Sequence, residues 1–452
     1  MRDWRDARIG NGLAVAAILL AAAQLARPLY APTLAHAPYD LIHFWRAGVM
    51  WLDGASPYDP GYAVFDPAYR TVPTADEYNV RPFFYPPAAR VLFEPLALFS
   101  FAGARSFLTL VSLILWGGVC RFLAAAMPGS SAAPMLRRTA MVAVGLAFCL
   151  PQMRLATEFG QVTAWVVAAI TGVLAARRCA PGLASDLFLA ACVFVLMLKP
   201  PLGLAVCLVL ALRRERWRAL AIATAAVALA TLYGATGDLV GTLSAYLANG
   251  AAYDGFWENN LLWTSSLSVL LVGLGLPAPG GVALAGAVVL SGAALGLARR
   301  LSTPDALFAA TVASLLLMPS HSYDYLVLVP FLPQLARARG AALRLVAIGG
   351  LCVAYGQPAQ LSAQTFSFLT GRNAEAVGYL FGAPRFETIG IVLFGAGAAL
   401  LLARGRGAPV ADSPSEFLVE RADLRMLPQH LLQRAEHLVP RGLRRRALHD
   451  DH

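Results

Sequence analysis

A chain of 452 residues that is 58% hydrophobic and only 14% charged carries more apolar surface than a water-soluble domain of its length can bury. Its net charge of +10 does not point to nucleic acid, because the arginines fall mostly in short clusters between apolar runs and in the C-terminal tail, the signature of cytoplasmic loops. Long apolar runs from end to end predict an all-α polytopic membrane protein, and the 6 cysteines, which lie in or beside those runs without C-x-x-C spacing, read as small core residues.

Arg2, Arg5 and Arg8 precede an apolar run over 12–30, which holds the N-terminus in the cytoplasm and sends residue 31 outside. A signal peptide cleaved after Ala35-His36-Ala37 is the competing reading, but Gln24 and Arg27 set the apolar core too far from that site. Residues 31–87 then form a large first outer loop, punctuated as G-A-S-P-Y-D-P and R-P-F-F-Y-P-P and therefore ordered. Within it Asp40 heads a short aromatic helix pattern, Y-D-L-I-H-F-W-R-A-G, whose spacing puts Asp40, His43, Phe44 and Ala47 on one face. Asp40 is the candidate general base; an N-cap role for the same carboxylate is the structural alternative, and the two are compatible.

Residues 91–101 are apolar but too short to span, and 104–126 follow as a fuller run. Arg121, Arg137 and Arg138 favour a cytoplasmic loop near 127–138, with the short piece re-entrant. Apolar runs over 141–150 and 162–175 bracket a polar turn, P-Q-M-R-L-A-T-E-F-G-Q, with Arg154, Glu158 and Gln161 on the outer side. Arg177 and Arg178 before it and R-R-E-R-W-R after it make 186–212 a hairpin with both ends cytoplasmic, each arm too short to cross. Its tip is Lys199-Pro200-Pro201. Lysine and arginine together number 36, and Lys199 is the one lysine among them. An ammonium in that position is costly and points to function, against the alternative of a lysine snorkelling to the headgroups.

Residues 219–233 lead to a second outer loop with Asn259 and Asn260, and 267–276 dip in and return. A later outer turn, P-S-H-S-Y-D-Y, carries His321 and Asp324, and a third outer loop precedes the last span, 389–402. The total is roughly 11 crossings plus re-entrant pieces. Residues 1–404 form the membrane domain, and 405–452 a cytoplasmic basic tail with an amphipathic helix pattern over 431–446.

The arginine rule places Asp40, Gln161, Lys199, Asn260 and His321 on or near one face, with His43 and Tyr85 beside them in the first outer loop. A carboxylate that takes a proton from a hydroxyl, with cations that hold a departing phosphate, suits glycosyl transfer. No D-x-D, no G-x-G-x-x-G and no soluble α/β domain is present, which argues against a nucleotide-sugar donor and calls for no metal and no cofactor. A sugar carried on a lipid phosphate needs none of these. The ordered set D-L-I-H-F-W-R-A-G, G-A-S-P-Y-D-P, F-Y-P-P, G-Q-V, L-K-P-P-L, N-N-L-L-W-T-S-S-L and H-S-Y-D-Y resembles glycosyltransferase family 87 from about residue 40 to 330. That resemblance implies a GT-C-like transmembrane helix bundle and a polyprenyl-phosphate-mannose donor. It also implies a catalytic role for Asp40, and donor-phosphate contacts for Lys199, in the K-P motif, and His321. The later turn departs from the Pro-Trp-His-His type of run expected there. Lys199, His321, His43, Gln161, Asn260 and Tyr85 are the substrate-binding candidates, the acceptor being a glycolipid or glycan. The implied location is the plasma (inner) membrane, with the site on the outer or periplasmic face. A transporter or flippase of lipid-linked substrate is the alternative from another class, weakened by the lack of an internal repeat; a scaffold without chemistry leaves the lysine unexplained.

Overall fold

The computed structural model describes residues 2–30, 39–59, 83–126, 134–149, 151–252, 266–268, 271, 277, 280–298, 300–318, 320–353 and 383–404. Asn260 with residues 253–265 of the second outer loop, the third outer loop, residues 31–38 and 60–82 of the first, and the basic tail lie outside them, while Leu239–Ala252, expected within the second outer loop, is a helix. The described residues are helical with no strand, as an apolar chain that must satisfy its backbone internally requires. The protein is an all-α polytopic membrane protein.

Three helices are long and apolar enough to cross a membrane: Arg8–Leu25 within α1 (Arg2–Leu25), α3 (Phe101–Ala126) and α9 (Trp217–Gly234). In chain order the others are α2 (Tyr39–Leu52), α4 (Met135–Cys149), α5 (Pro151–Glu158), α6 (Thr163–Ala176), α7 (Leu183–Leu196), α8 (Pro200–Leu212), α10 (Leu239–Ala252), α11 (Gly281–Leu297), α12 (Thr303–Leu317), α13 (Gly340–Val353) and α14 (Ala383–Arg404). α6 is apolar and buried almost all round, so it forms the centre of the bundle. α7 packs on α6 and α9, and α11 lies between α8 and α12. Glycines let these backbones approach: a Cβ on Gly292 of α11 would sit 2.6 Å from the Cα of Ala205 in α8.

Two expectations change in form. The piece before α3 is three short turns, a 3₁₀ turn at Pro87–Ala89, a helical turn at Arg90–Phe93 and a 3₁₀ stretch at Glu94–Leu98, laid across α2. P-Q-M-R-L-A-T-E is not a turn but the helix α5, bent by 78° from α4. Arg154 and Glu158, four apart, pair across one helical turn at 3.3 Å, and Arg27 lies 3.6 Å from the same buried carboxylate.

The arginine clusters have a common structural use at one end of the bundle. Arg213 fans over the carbonyls of Leu295 at 3.1 Å, Ala298 at 2.8 Å and Leu301 at 2.6 Å, closing the C-terminus of α11. Arg216 donates to the carbonyls of Ala176, at 2.8 Å, and Cys179, and to Asp186 at 3.3 Å. Arg177 holds Glu215 through two bonds, Nε to Oε2 at 2.5 Å and a terminal nitrogen to Oε1 at 3.0 Å, and Thr303 at the head of α12 donates to that carboxylate. Ser302 caps α12 by accepting from the Asp305 backbone at 3.3 Å. A guanidinium spreads five donors over a broad planar fork and so reaches more orphan carbonyls at once than the three donors of a compact ammonium.

Candidate functional site

α6, α8 and α12 each run between that arginine-rich end and the opposite one, where Gln161, Lys199 and His321 stand. α7 and α8 have 14 and 13 residues, ~20 Å each, short of a ~30 Å hydrocarbon core. They form the expected hairpin with Met197–Lys199 at its tip. Pro200 and Pro201 stop α7 from continuing and start α8, since neither has an N–H to give. Lys199 is fixed by its own backbone, which donates to the Leu196 carbonyl at 3.0 Å and accepts from Gly203 at 2.9 Å.

At this end the turn Phe159–Gln161 between α5 and α6 is the hub. The Phe159 carbonyl accepts from the backbone N–H groups of Asp40 and Leu41, both at 3.2 Å, which seats the first turn of α2 on it. Gly160 has φ +70°, and a Cβ there would come 2.6 Å from the Leu41 Cβ, so position 160 accepts only glycine without strain. Asp40 lies in the first turn of α2 rather than at its cap, half-buried, where the helix dipole favours a carboxylate. His43 is one turn further on and buried.

Behind this turn α2 buries Leu41, Phe44, Ala47 and Trp51, at helical spacing, against Tyr58, Phe83, Tyr85 and Phe93. The Phe44 ring stacks on Phe93 at 4.4 Å and meets the edge of Tyr85 at 4.9 Å. Tyr85 is thus part of an aromatic core, its carbonyl accepting from the Tyr58 hydroxyl at 2.6 Å. Leu198, next to Lys199, and Val162, next to Gln161, belong to the same cluster and tie it to the hairpin tip. Gly48 lets Phe93 cross α2, since any Cβ would strike the Phe93 carbonyl. Arg90 locks the assembly, donating to the Trp51 carbonyl at 3.2 Å and the Tyr233 carbonyl at 2.9 Å while paired with Glu94.

On the other side of the hub, the Gln161 amide donates to the Tyr323 hydroxyl at 2.9 Å, both groups buried. The Tyr323 ring stacks on His321 with centroids 5.4 Å apart. His321 opens a 3₁₀ stretch, Ser322–Phe331, and its N–H donates to Asp324 Oδ2 at 2.9 Å. The other oxygen of Asp324 is ion-paired with the Lys199 ammonium. The structure therefore joins Asp40, Gln161, His321 and Lys199 through one run of contacts, with His43 one turn away and Tyr85 in the supporting core. Asp324 and Tyr323 are the residues that the sequence reading left without a role. Their signal was present, two polar groups within three positions of His321, but their partners lie 125 and 162 positions away.

An all-helical membrane bundle with a carboxylate, an imidazole and an ammonium gathered at one end is the frame of a membrane-embedded enzyme. The model of glycosyltransferase family 87 matches residues 83–321, more than half of the chain, and the chain belongs to that family. It is therefore a membrane glycosyltransferase, with a sugar donor and an acceptor as substrates. The matched stretch takes in Tyr85, Gln161, Lys199 and Asn260 and ends on His321, with Asp40 and His43 ahead of it. No curated protein and no solved structure gives a significant match.

Proposed function

We propose that the protein moves a hexose, mannose first among them, from a polyprenyl-phosphate-sugar to a hydroxyl of a glycolipid or glycan acceptor, with inversion, at the outer face of the plasma membrane. The observation that carries this reading is the run of contacts about Phe159–Gln161 linking the start of the Asp40 helix to His321 and, through Asp324, to Lys199. The acceptor oxygen attacks the anomeric carbon opposite the phosphate, forming the new C–O bond as the bond to the phosphate oxygen breaks. The electron pair leaves with the polyprenyl phosphate, and the acceptor proton passes to Asp40. A carboxylate is a weak base for a free alcohol, so it takes the proton late, when the attacking oxygen has become acidic. A single displacement inverts the anomeric centre. Lys199 and His321 stabilise the charge gathering on the phosphate, and His43, Gln161 and Asn260 contribute to the sugar and acceptor pocket, with Tyr85 supporting it from the aromatic core.

In this reading residues 1–404 are a GT-C-like catalytic domain, 405–452 a cytoplasmic tail, and both termini are cytoplasmic. The alternative is a transporter or flippase of a polyprenyl-linked or other lipid, favoured by the broken α4–α5 pair and disfavoured by family membership. Transfer of label from radiolabelled polyprenyl-phosphate-mannose, in membranes with and without the protein, separates the two. Turnover should depend on the protein and fall by 10² or more in Asp40→Asn, with donor binding kept. An Asn variant that retains more than about a tenth of wild-type turnover would return Asp40 to an orienting role.

A further inference from the structure

Lys199 does not wait for a ligand with an open ammonium; it already carries a counter-ion. One oxygen of Asp324 is on its Nζ, and the other accepts the His321 N–H at 2.9 Å. The Asp324 N–H in turn donates to the His321 carbonyl at 2.9 Å, so the carboxylate is tied at both ends of a tight turn. It cannot swing aside to admit an anion without losing that tie. The Asp324 side chain is 12% exposed and that of Lys199 26%, so what access there is lies on the lysine side of the pair. The head of α8 offers little besides the ammonium, because Pro200 and Pro201 remove the backbone donors of its first two positions.

Resting on the function proposed above, we propose that Asp324 is a specificity-determining residue that makes the Lys199 site favour the singly charged phosphodiester of the donor over the phosphomonoester left after transfer. The reason is charge. A sugar phosphodiester bears one negative charge, and a phosphomonoester about −1.5 to −2 at neutral pH. A bare ammonium would hold the product more tightly than the substrate, and each turnover would end in a trapped enzyme. A fixed carboxylate on the same ammonium repels every added negative charge. At ~5 Å and an effective dielectric near 20, that repulsion offsets the product's advantage on the order of tenfold or more. Asp324 thereby promotes release of the polyprenyl phosphate while its bond to the His321 backbone N–H fixes the turn that carries the imidazole.

The test uses the full-length protein in lipid nanodiscs at pH 7.5, with farnesyl phosphate as the monoester probe and its methyl ester as the diester. Wild type should bind the diester at least as tightly as the monoester. Asp324→Asn and Asp324→Ser both keep an acceptor for the His321 N–H and remove the charge. Each should shift the ratio of the two dissociation constants towards the monoester by about tenfold, and strengthen inhibition by farnesyl phosphate relative to the donor KM. An equal change in both esters, or none, would make Asp324 a purely structural clasp and overturn the proposal. So would a wild type that prefers the monoester by tenfold or more, a result that needs no variant to fold. Failure of wild type to bind either ester, or Lys199→Ala binding both as well as wild type, would instead remove the donor-phosphate site itself and this inference with it.

Discussion

Lys199 stands where the chain abandons its own habit of writing cations as arginine. The arginines close helix ends, each spreading over two or more acceptors, as Arg213 and Arg216 do. At the hairpin tip the partner is one fixed carboxylate, Asp324, and in the proposed function the ammonium keeps its remaining donors for a phosphate beside it. A guanidinium there would grip Asp324 with two parallel bonds and present a broader, planar group to the phosphate. Lys199→Arg is therefore expected to raise the donor KM about tenfold, or ~1.4 kcal/mol, with a smaller effect on kcat and on acceptor affinity. Initial rates at subsaturating donor check this; full activity of the Arg variant would leave Lys199 a membrane anchor.

At the scale of elements, the turn Phe159–Gln161 decides where α2 begins and where the Tyr323 hydroxyl sits. Gly160→Ala tests that role. A left-handed non-glycine residue costs about 1–3 kcal/mol, and the added methyl must also push Leu41 away. We expect a lower melting temperature and a roughly tenfold fall in kcat, the size of a ~1.4 kcal/mol loss of transition-state stabilisation, because the start of α2 carries Asp40. Gly117→Ala, a position with nothing within 4 Å of an added Cβ, should leave both measurements unchanged or raise stability. A Gly160→Ala enzyme with wild-type kcat would show that α2 is seated by its aromatic face alone.

For the whole molecule, the two ends of the bundle do different work, and each can be probed. Burial raises the Glu215 carboxyl, but the paired Arg177 bonds, Thr303 and the charges of Arg177 and Arg213 outweigh it and hold the group below the usual carboxylate range. A depressed folded-state value means the contribution to stability is full above the unfolded value of about 4.3 and is lost as pH falls through the folded one. Glu215→Gln should thus melt several degrees lower than wild type at pH 7, with the gap closing on acidification below about pH 4. A gap that stayed constant down to pH 3 would contradict the ion-pair account. Orientation is checked by single-cysteine labelling from outside in a cysteine-free background: Ser56 should react and Ser302, beside the arginine cluster, should not. Labelling of Ser302 would put His321 on the inner side.

Composition and the arginine spacing were enough, from the sequence, for the all-α membrane class, because lipid leaves a helical chain few other ways to satisfy its backbone. The K-P-P punctuation was enough for the hairpin tip, because proline acts on its immediate neighbours. The helix that Asp40 heads was legible for the same local reason, its apolar and aromatic residues recurring at helical spacing. α5 was not: its polar residues read as a turn, and what holds them in a helix is the burial of Met153, Leu155 and Ala156 in the bundle core, with the Arg154–Glu158 pair bridging one turn. Nor could the sequence pair Lys199 with Asp324 or Gln161 with Tyr323, since those contacts exist only after α6, α8 and α12 have packed. Tertiary structure alone decided that the chain's one lysine meets a carboxylate 125 positions away, because a partly buried ammonium is costly to leave without a counter-ion.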